Sequence, residues 1–97
     1  MLSLIKNPFN NLAEVMMGKS LHKKNEPIDR QIFAKNLRNA RKDAGLRQED
    51  LVRETHLSQA FISAVETGDA NISLDNCSRL AKAVGKTLRE LLDPKRR

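Results

Sequence analysis

The stretch that most constrains this chain is QEDLVRETHLSQAFISAVE, Gln48 to Glu66. It reads as two short amphipathic helices around a tight turn. Gln48–Thr55 predicts the first, with Leu51 and Val52 on one side; His56, Leu57 and Ser58 make the turn. Gln59–Thr67 predicts the second, with Ile62 and Val65 three apart on its inner face. The Ser58 hydroxyl can accept from a free N–H of that helix's first turn. The other face offers Gln59, Ala60, Ser63 and Ala64, small or hydrogen-bonding groups with no charge before Glu66. A helix laid against base edges needs such a face: an amide for adenine, methyls for thymine, and small groups that let the backbone approach. The pattern alone also suits any small helical domain.

The 97 residues suffice for one small domain with a tail. Three Phe and no Trp or Tyr favour a helical core over a sheet. Lys and Arg outnumber Asp and Glu by 18 to 12, a net charge of +6 that suits a polyanionic partner without requiring one. The one cysteine, Cys77, excludes an intrachain disulfide and shares a helical face with Leu74, Leu80 and Ala81, so it is expected in the core. No apolar run approaches the ~20 residues of a membrane span. The N-terminal apolar residues are broken by Asn7, Pro8, Asn10, Asn11 and Glu14, unlike a signal peptide. A cytoplasmic setting is expected. No Gly-rich phosphate loop, His/Cys cluster or nucleophile with a base is present, so no enzyme, cofactor or metal site is expected. His22 has no partner at ligand spacing, and Glu49-Asp50 stands at a helix start, where acids suit the dipole.

In chain order, residues 1–27 stand apart. Asn7-Pro8 can start a helix, Phe9, Leu12, Val15 and Met16 recur at helical spacing, and Gly18 can end it. This helix either packs on the domain, pairs with a second subunit, binds another protein or stays unstructured. Residues 19–27 read as a polar linker. Asp29 is expected to cap a helix reaching about Ala44, buried through Ile32, Phe33, Leu37, Ala40 and Ala44. Gly45 suits a left-handed helix end. Arg38, Arg41 and Lys42 fall on the other side, by pattern a solvated face. Ser73 is expected to cap Leu74–Val84, with Leu74, Cys77, Leu80, Ala81 and Val84 inward. Thr87 is expected to cap Leu88–Leu92, stopped before Pro94. Leu88, Leu91 and Leu92 either complete the monomer core or meet a second copy. Residues 95–97 are a basic tail, in contact with phosphate or simply solvated.

From Asn36 to Leu92 the chain resembles the Cro/C1-type (Xre) helix-turn-helix regulators. The resemblance is carried by Leu37, Arg38, Arg41, Gly45, Leu46, Gln48, Glu49 and Leu51, then Leu57, Ser58, Gln59, Ile62, Ser63, Glu66 and Gly68. It continues through Leu80, Ala81, Ala83, Val84, Gly85, Leu88 and Leu91. It implies an all-α, five-helix λ-repressor-like DNA-binding domain over residues 28–94, with residues 1–27 as an extra N-terminal helical segment. It implies a structural pair between Arg41 and Glu66 and a phosphate contact from Gln48. The chain departs from the family at Arg47, where Thr or Ser is usual, at Val52 for Ala, and at His56 for Gly, which then needs positive φ.

The resemblance places residues 58–67 in the major groove, with Gln59 first for base contact, then Ser63, and Ala60 and Ala64 as thymine-methyl contacts. Phe61 lies against the DNA backbone or packs on its own domain. Relatives often carry Arg or Lys where Ala64 and Thr67 stand, so phosphate contact falls to Arg38, Arg47, Lys42, Ser58 and the Gly68–Asn71 loop, with Asn71 and Ser73 as uncharged donors. The implied function is a sequence-specific transcriptional regulator, a repressor or autoregulator, bound to a palindromic operator of double-stranded DNA. It would act as a homodimer through Leu88, Leu91 and Leu92, with recognition helices about one DNA turn apart. The alternative is an antitoxin-like module whose residues 1–20 bind a protein partner, with DNA binding secondary.

Overall fold

The computed structural model describes residues 28–95, and among these it has five helices and no strand. They are α1 (Ile28–Asp43), α2 (Gln48–Thr55), α3 (Gln59–Glu66), α4 (Leu74–Ala83) and α5 (Leu88–Leu91). The expected helix near Phe9, the linker after it, and Arg96 and Arg97 lie outside the described residues.

Each boundary has a local cause. Gly45 leaves α1 at φ 72°, its N–H donating to the Lys42 carbonyl while the Leu46 N–H reaches back to Arg41. The α2 start has no side-chain acceptor at Arg47; instead the Asp50 carboxylate accepts from the Arg47 N–H at 2.8 Å. His56 ends α2 at φ 64°, the only non-glycine left-handed residue among those described, and its N–H donates to the Val52 carbonyl. Ser58, Ser73 and Thr87 cap α3, α4 and α5, each accepting at 3.1 Å from the N–H three residues on. Glu90 answers Thr87 by accepting from its N–H, which closes a capping box.

The helices enclose one core. α2 packs on α3 and α4, α1 on α3 and α5, and α4 on α5. Leu37, Leu51, Ile62, Val65, Leu80 and Leu91 are fully buried at its centre, with Phe33, Ala40, Cys77, Ala81 and Val84 around them. Truncating one such leucine to alanine costs about 2–5 kcal/mol, a large part of the stability of a small domain. Burial pushes the Cys77 thiol above its ordinary pKa, as suits a core residue.

Four sequence expectations are corrected. Asp29 lies within the first turn of α1, which already includes Ile28, and is therefore not its cap. Ala44 is exposed, because α1 stops at Asp43 before that turn reaches the core. Leu74 is 72% exposed although it lies three residues before Cys77: its periodicity gives the right direction, but the core ends first. Leu91 is fully buried in its own monomer and is not a surface for a second copy. Val52 is half-buried against the core, so its bulk is accommodated where α2 meets its neighbours.

Candidate nucleic-acid interface

Residues Gln48 to Glu66 form the helix–turn–helix unit, and its second helix, α3, is held at both ends. At the N-terminal end Ser58 caps it. The turn before it is tied by Thr55, whose buried hydroxyl donates to the Leu51 carbonyl at 2.7 Å and accepts from the Leu57 N–H at 3.2 Å. At the C-terminal end the Glu66 carboxylate, with a side chain only 3% exposed, is gripped by Arg41 of α1. Arg41 Nε donates to Glu66 Oε2 at 2.7 Å and Nη2 to Oε1 at 3.0 Å, a two-pronged contact. Arg41 Nη1 donates to the Leu46 carbonyl at 2.9 Å, and Gln48 Nε2 donates to Glu66 Oε1 at 3.1 Å. The hydrogen bond to Glu66 raises the Arg41 pKa despite the opposing effect of burial, so the cation persists throughout the physiological range. One carboxylate thus joins α1, the start of α2 and the end of α3.

This clamp turns the Ile62–Val65 face inward and leaves Gln59, Ala60 and Ser63 exposed, with Ala64 half-buried at the edge. Arg38, Arg47, Ser58, Asn71 and Ser73 are exposed. Ser58 and Ser73 use their oxygens as caps, which leaves each hydroxyl hydrogen to donate. Gln48 is half-buried and one of its amide hydrogens is committed to Glu66, so only the other can reach a phosphate. Phe61 packs half-buried on the core, the second of the two places its sequence context left open. At the far end of α3 the Thr67 hydroxyl donates to the Ala64 carbonyl and to Asp69, which ties the loop to the helix.

Two polar residues of the framework escaped the sequence reading. Asn36, 3% exposed on α1, donates through Nδ2 to the Leu91 and Asp93 carbonyls, each at 2.9 Å, and so pins the end of α5. Its only sequence signal is an amide beside the buried positions of Leu37 and Ala40. Thr55 is the other, a hydroxyl four residues after Leu51 at a helix end.

A helix–turn–helix family model matches residues 37–91, which takes in the helix–turn–helix unit and its Arg41 clamp. The chain belongs to the Cro/C1-type helix-turn-helix family. Among its relatives, a hypothetical transcription factor of Neisseria meningitidis serogroup B (strain ATCC BAA-335 / MC58) is 37% identical over 83 residues, which cover 81% of this chain and 78% of that one. Control protein C.BamHI of Bacillus amyloliquefaciens is 37% identical over 65 residues, covering 66% of this chain and 80% of that one. The crystal structure of the restriction-modification controller protein C.AhdI from Aeromonas hydrophila superposes with a TM-score of 0.62 at 37% identity, covering 67% of this chain and 98% of that one.

This member of the family is a DNA-binding transcriptional regulator, and the family is one of regulators rather than enzymes. No helix among the described residues is long and apolar enough to cross a membrane, and no group of His, Cys, Asp and Glu among them could hold a metal ion.

Proposed function

We propose that the protein is an autoregulator of the controller type, which binds an inverted-repeat operator upstream of its own gene as a homodimer. The carrying observation is the α3 surface: Gln59, Ala60 and Ser63 stand exposed on a helix clamped at both ends, with no charge between Gln59 and Val65. Gln59 is the adenine reader, Ser63 a second polar contact, and Ala60 and Ala64 meet thymine methyls. Arg38, Arg47, Gln48, Ser58, Asn71 and Ser73 hold phosphates on either side. The second copy docks on the α5 surface through Leu92, which is 38% exposed, and the half-buried Leu88. Likeness to control protein C.BamHI and to C.AhdI supports the controller reading. The site of action is the cytoplasm.

The test is a titration of the protein against DNA from upstream of its gene at two salt concentrations, beside Gln59→Ala. Selective binding that rises cooperatively with protein concentration, weakens with salt and falls at least tenfold in Gln59→Ala, the effect of about one bidentate base contact, is expected. Binding that is equal for any DNA and indifferent to Gln59 refutes it.

A further inference from the structure

The edge of α1 nearest α5 carries a partly open apolar row. Ile28, Ile32 and Asn36 follow one another four residues apart and share one side of the helix. Ile28 is 65% exposed and Ile32 is half-buried. Asn36 fixes where the row ends: its Nδ2 donates at 2.9 Å to the carbonyls of Leu91 and Asp93, the chain neighbours of Leu92. Leu92 is 38% exposed. The row therefore runs about 12 Å from the start of α1 to the end of α5, with an exposed aliphatic side chain at each end.

The chain that precedes Ile28 has a matching apolar pattern. Phe9, Leu12, Val15 and Met16 recur at helical spacing over eight residues, which as a helix would present about 10 Å of apolar face. Eleven residues, 17–27, separate Met16 from Ile28 and can span roughly 36 Å, about three times the row. Pro27 disfavours helix at Glu26, so this tether is not forced to continue along the α1 axis. The family match begins at residue 37, so the two isoleucines and the segment before them both stand outside it. A short tether holds its end at an effective concentration on the order of millimolar, whereas a second copy or another protein must arrive from solution. Three aliphatic side chains also fall well short of the ~800 Å² per partner that a stable interface between chains buries.

We infer that residues 9–16 form a helix that folds back in the same chain and lays its apolar face on Ile28 and Ile32, against the side of Leu92. This goes beyond operator binding and does not depend on it. Ala34 and Arg41, which meet Gly68 and Glu66, lie on the opposite edge of α1, so the segment leaves α3 uncovered. It borders instead the surface of Leu88 and Leu92 proposed for the second copy.

The test is amide hydrogen exchange of the full chain at protein concentrations below and above the midpoint of self-association. Residues 9–16 are expected to exchange at least tenfold more slowly than an unstructured peptide of the same sequence, equally at both concentrations. Ile28→Gln/Ile32→Gln should remove that protection while α2, α3 and α4 keep theirs. Phe9→Gln/Leu12→Gln, which leaves every residue of the domain intact, should remove it too and speed exchange several-fold across residues 28–35. A native segment that exchanges at the unstructured rate overturns the inference, as does protection that survives Ile28→Gln/Ile32→Gln in a folded domain. Protection that appears only above the association midpoint places the segment on a second copy and overturns the same-chain contact. If Ile28→Gln/Ile32→Gln unfolds the domain, Phe9→Gln/Leu12→Gln decides, and unchanged exchange across residues 28–35 overturns the inference.

Discussion

Glu66 is where three parts of this protein meet, and its environment decides what the pair with Arg41 does. Both side chains are nearly out of water, at 3% and 12% exposure. A buried pair gains little over well-packed apolar side chains, but breaking it strands a charge. Glu66→Gln leaves the Arg41 cation without its countercharge. It is expected to destabilise the domain by about 3–5 kcal/mol, read from urea unfolding, and to weaken DNA binding through the displaced α3. A stability loss under ~1 kcal/mol would refute that role. Residues 41 and 66 are far apart in the chain, so only the family resemblance joins them at the level of sequence. The third member, Gln48, reads there as a phosphate ligand alone, because sequence spacing shows which groups stand at a helix start but not which neighbour competes for their hydrogens. His56 is legible through the same resemblance, because the family's Gly marks that position. A left-handed conformation at a helix end is a local demand, costing about 1–2 kcal/mol for a residue with a side chain, and it stands at φ 64°.

Among the elements, α5 depends most on its surroundings. Four residues cannot hold a helix in water alone. The capping box at Thr87 and Glu90 starts it, Leu91 anchors it in the core, and Asn36 holds its last carbonyls. Asn36→Ala removes both donors from a buried site. The expected loss is about 2 kcal/mol in unfolding, together with faster hydrogen exchange across α5 than in α2 or α4. Exchange that speeds equally in all helices would mean that Asn36 supports the core at large rather than α5. Caps and stripes place the helices of the described region to within a residue or so, since both are set within a turn. They misjudge Leu74 and Ala44, because a stripe gives a direction and not the extent of what lies beneath it.

For the molecule as a whole, the question is how a weakly charged reading helix acquires affinity. The proposed answers are a second copy and the phosphate contacts that flank α3. Leu92→Glu sets a charge on the large apolar residue that stands exposed at the end of α5. The monomer fold should keep its melting temperature, the midpoint of self-association in sedimentation should move at least tenfold upward, and operator binding should fall with it. Unchanged association would move the dimer interface elsewhere, with Leu74 and Ile28, 72% and 65% exposed, as the remaining large apolar groups among the described residues.

The sequence by itself determined what is decided over a few residues. It specified five helices through periodicity and, for α3, α4 and α5, through their caps, together with the glycine at the left-handed end of α1, an uncharged outer face on α3, and an all-α class in keeping with few aromatic residues. The motif spacing added the family. The tertiary structure decided which of the equivalent candidates are used: Leu91 inward and Leu92 outward, Asn36 as a clasp, Phe61 against the core, and Gln48 shared with Glu66. The reason is physical. Capping and periodicity are short-range and leave a trace in adjacent letters. Burial and hydrogen-bond partnership depend on groups brought together from distant points of the chain, and those exist only once the helices have packed.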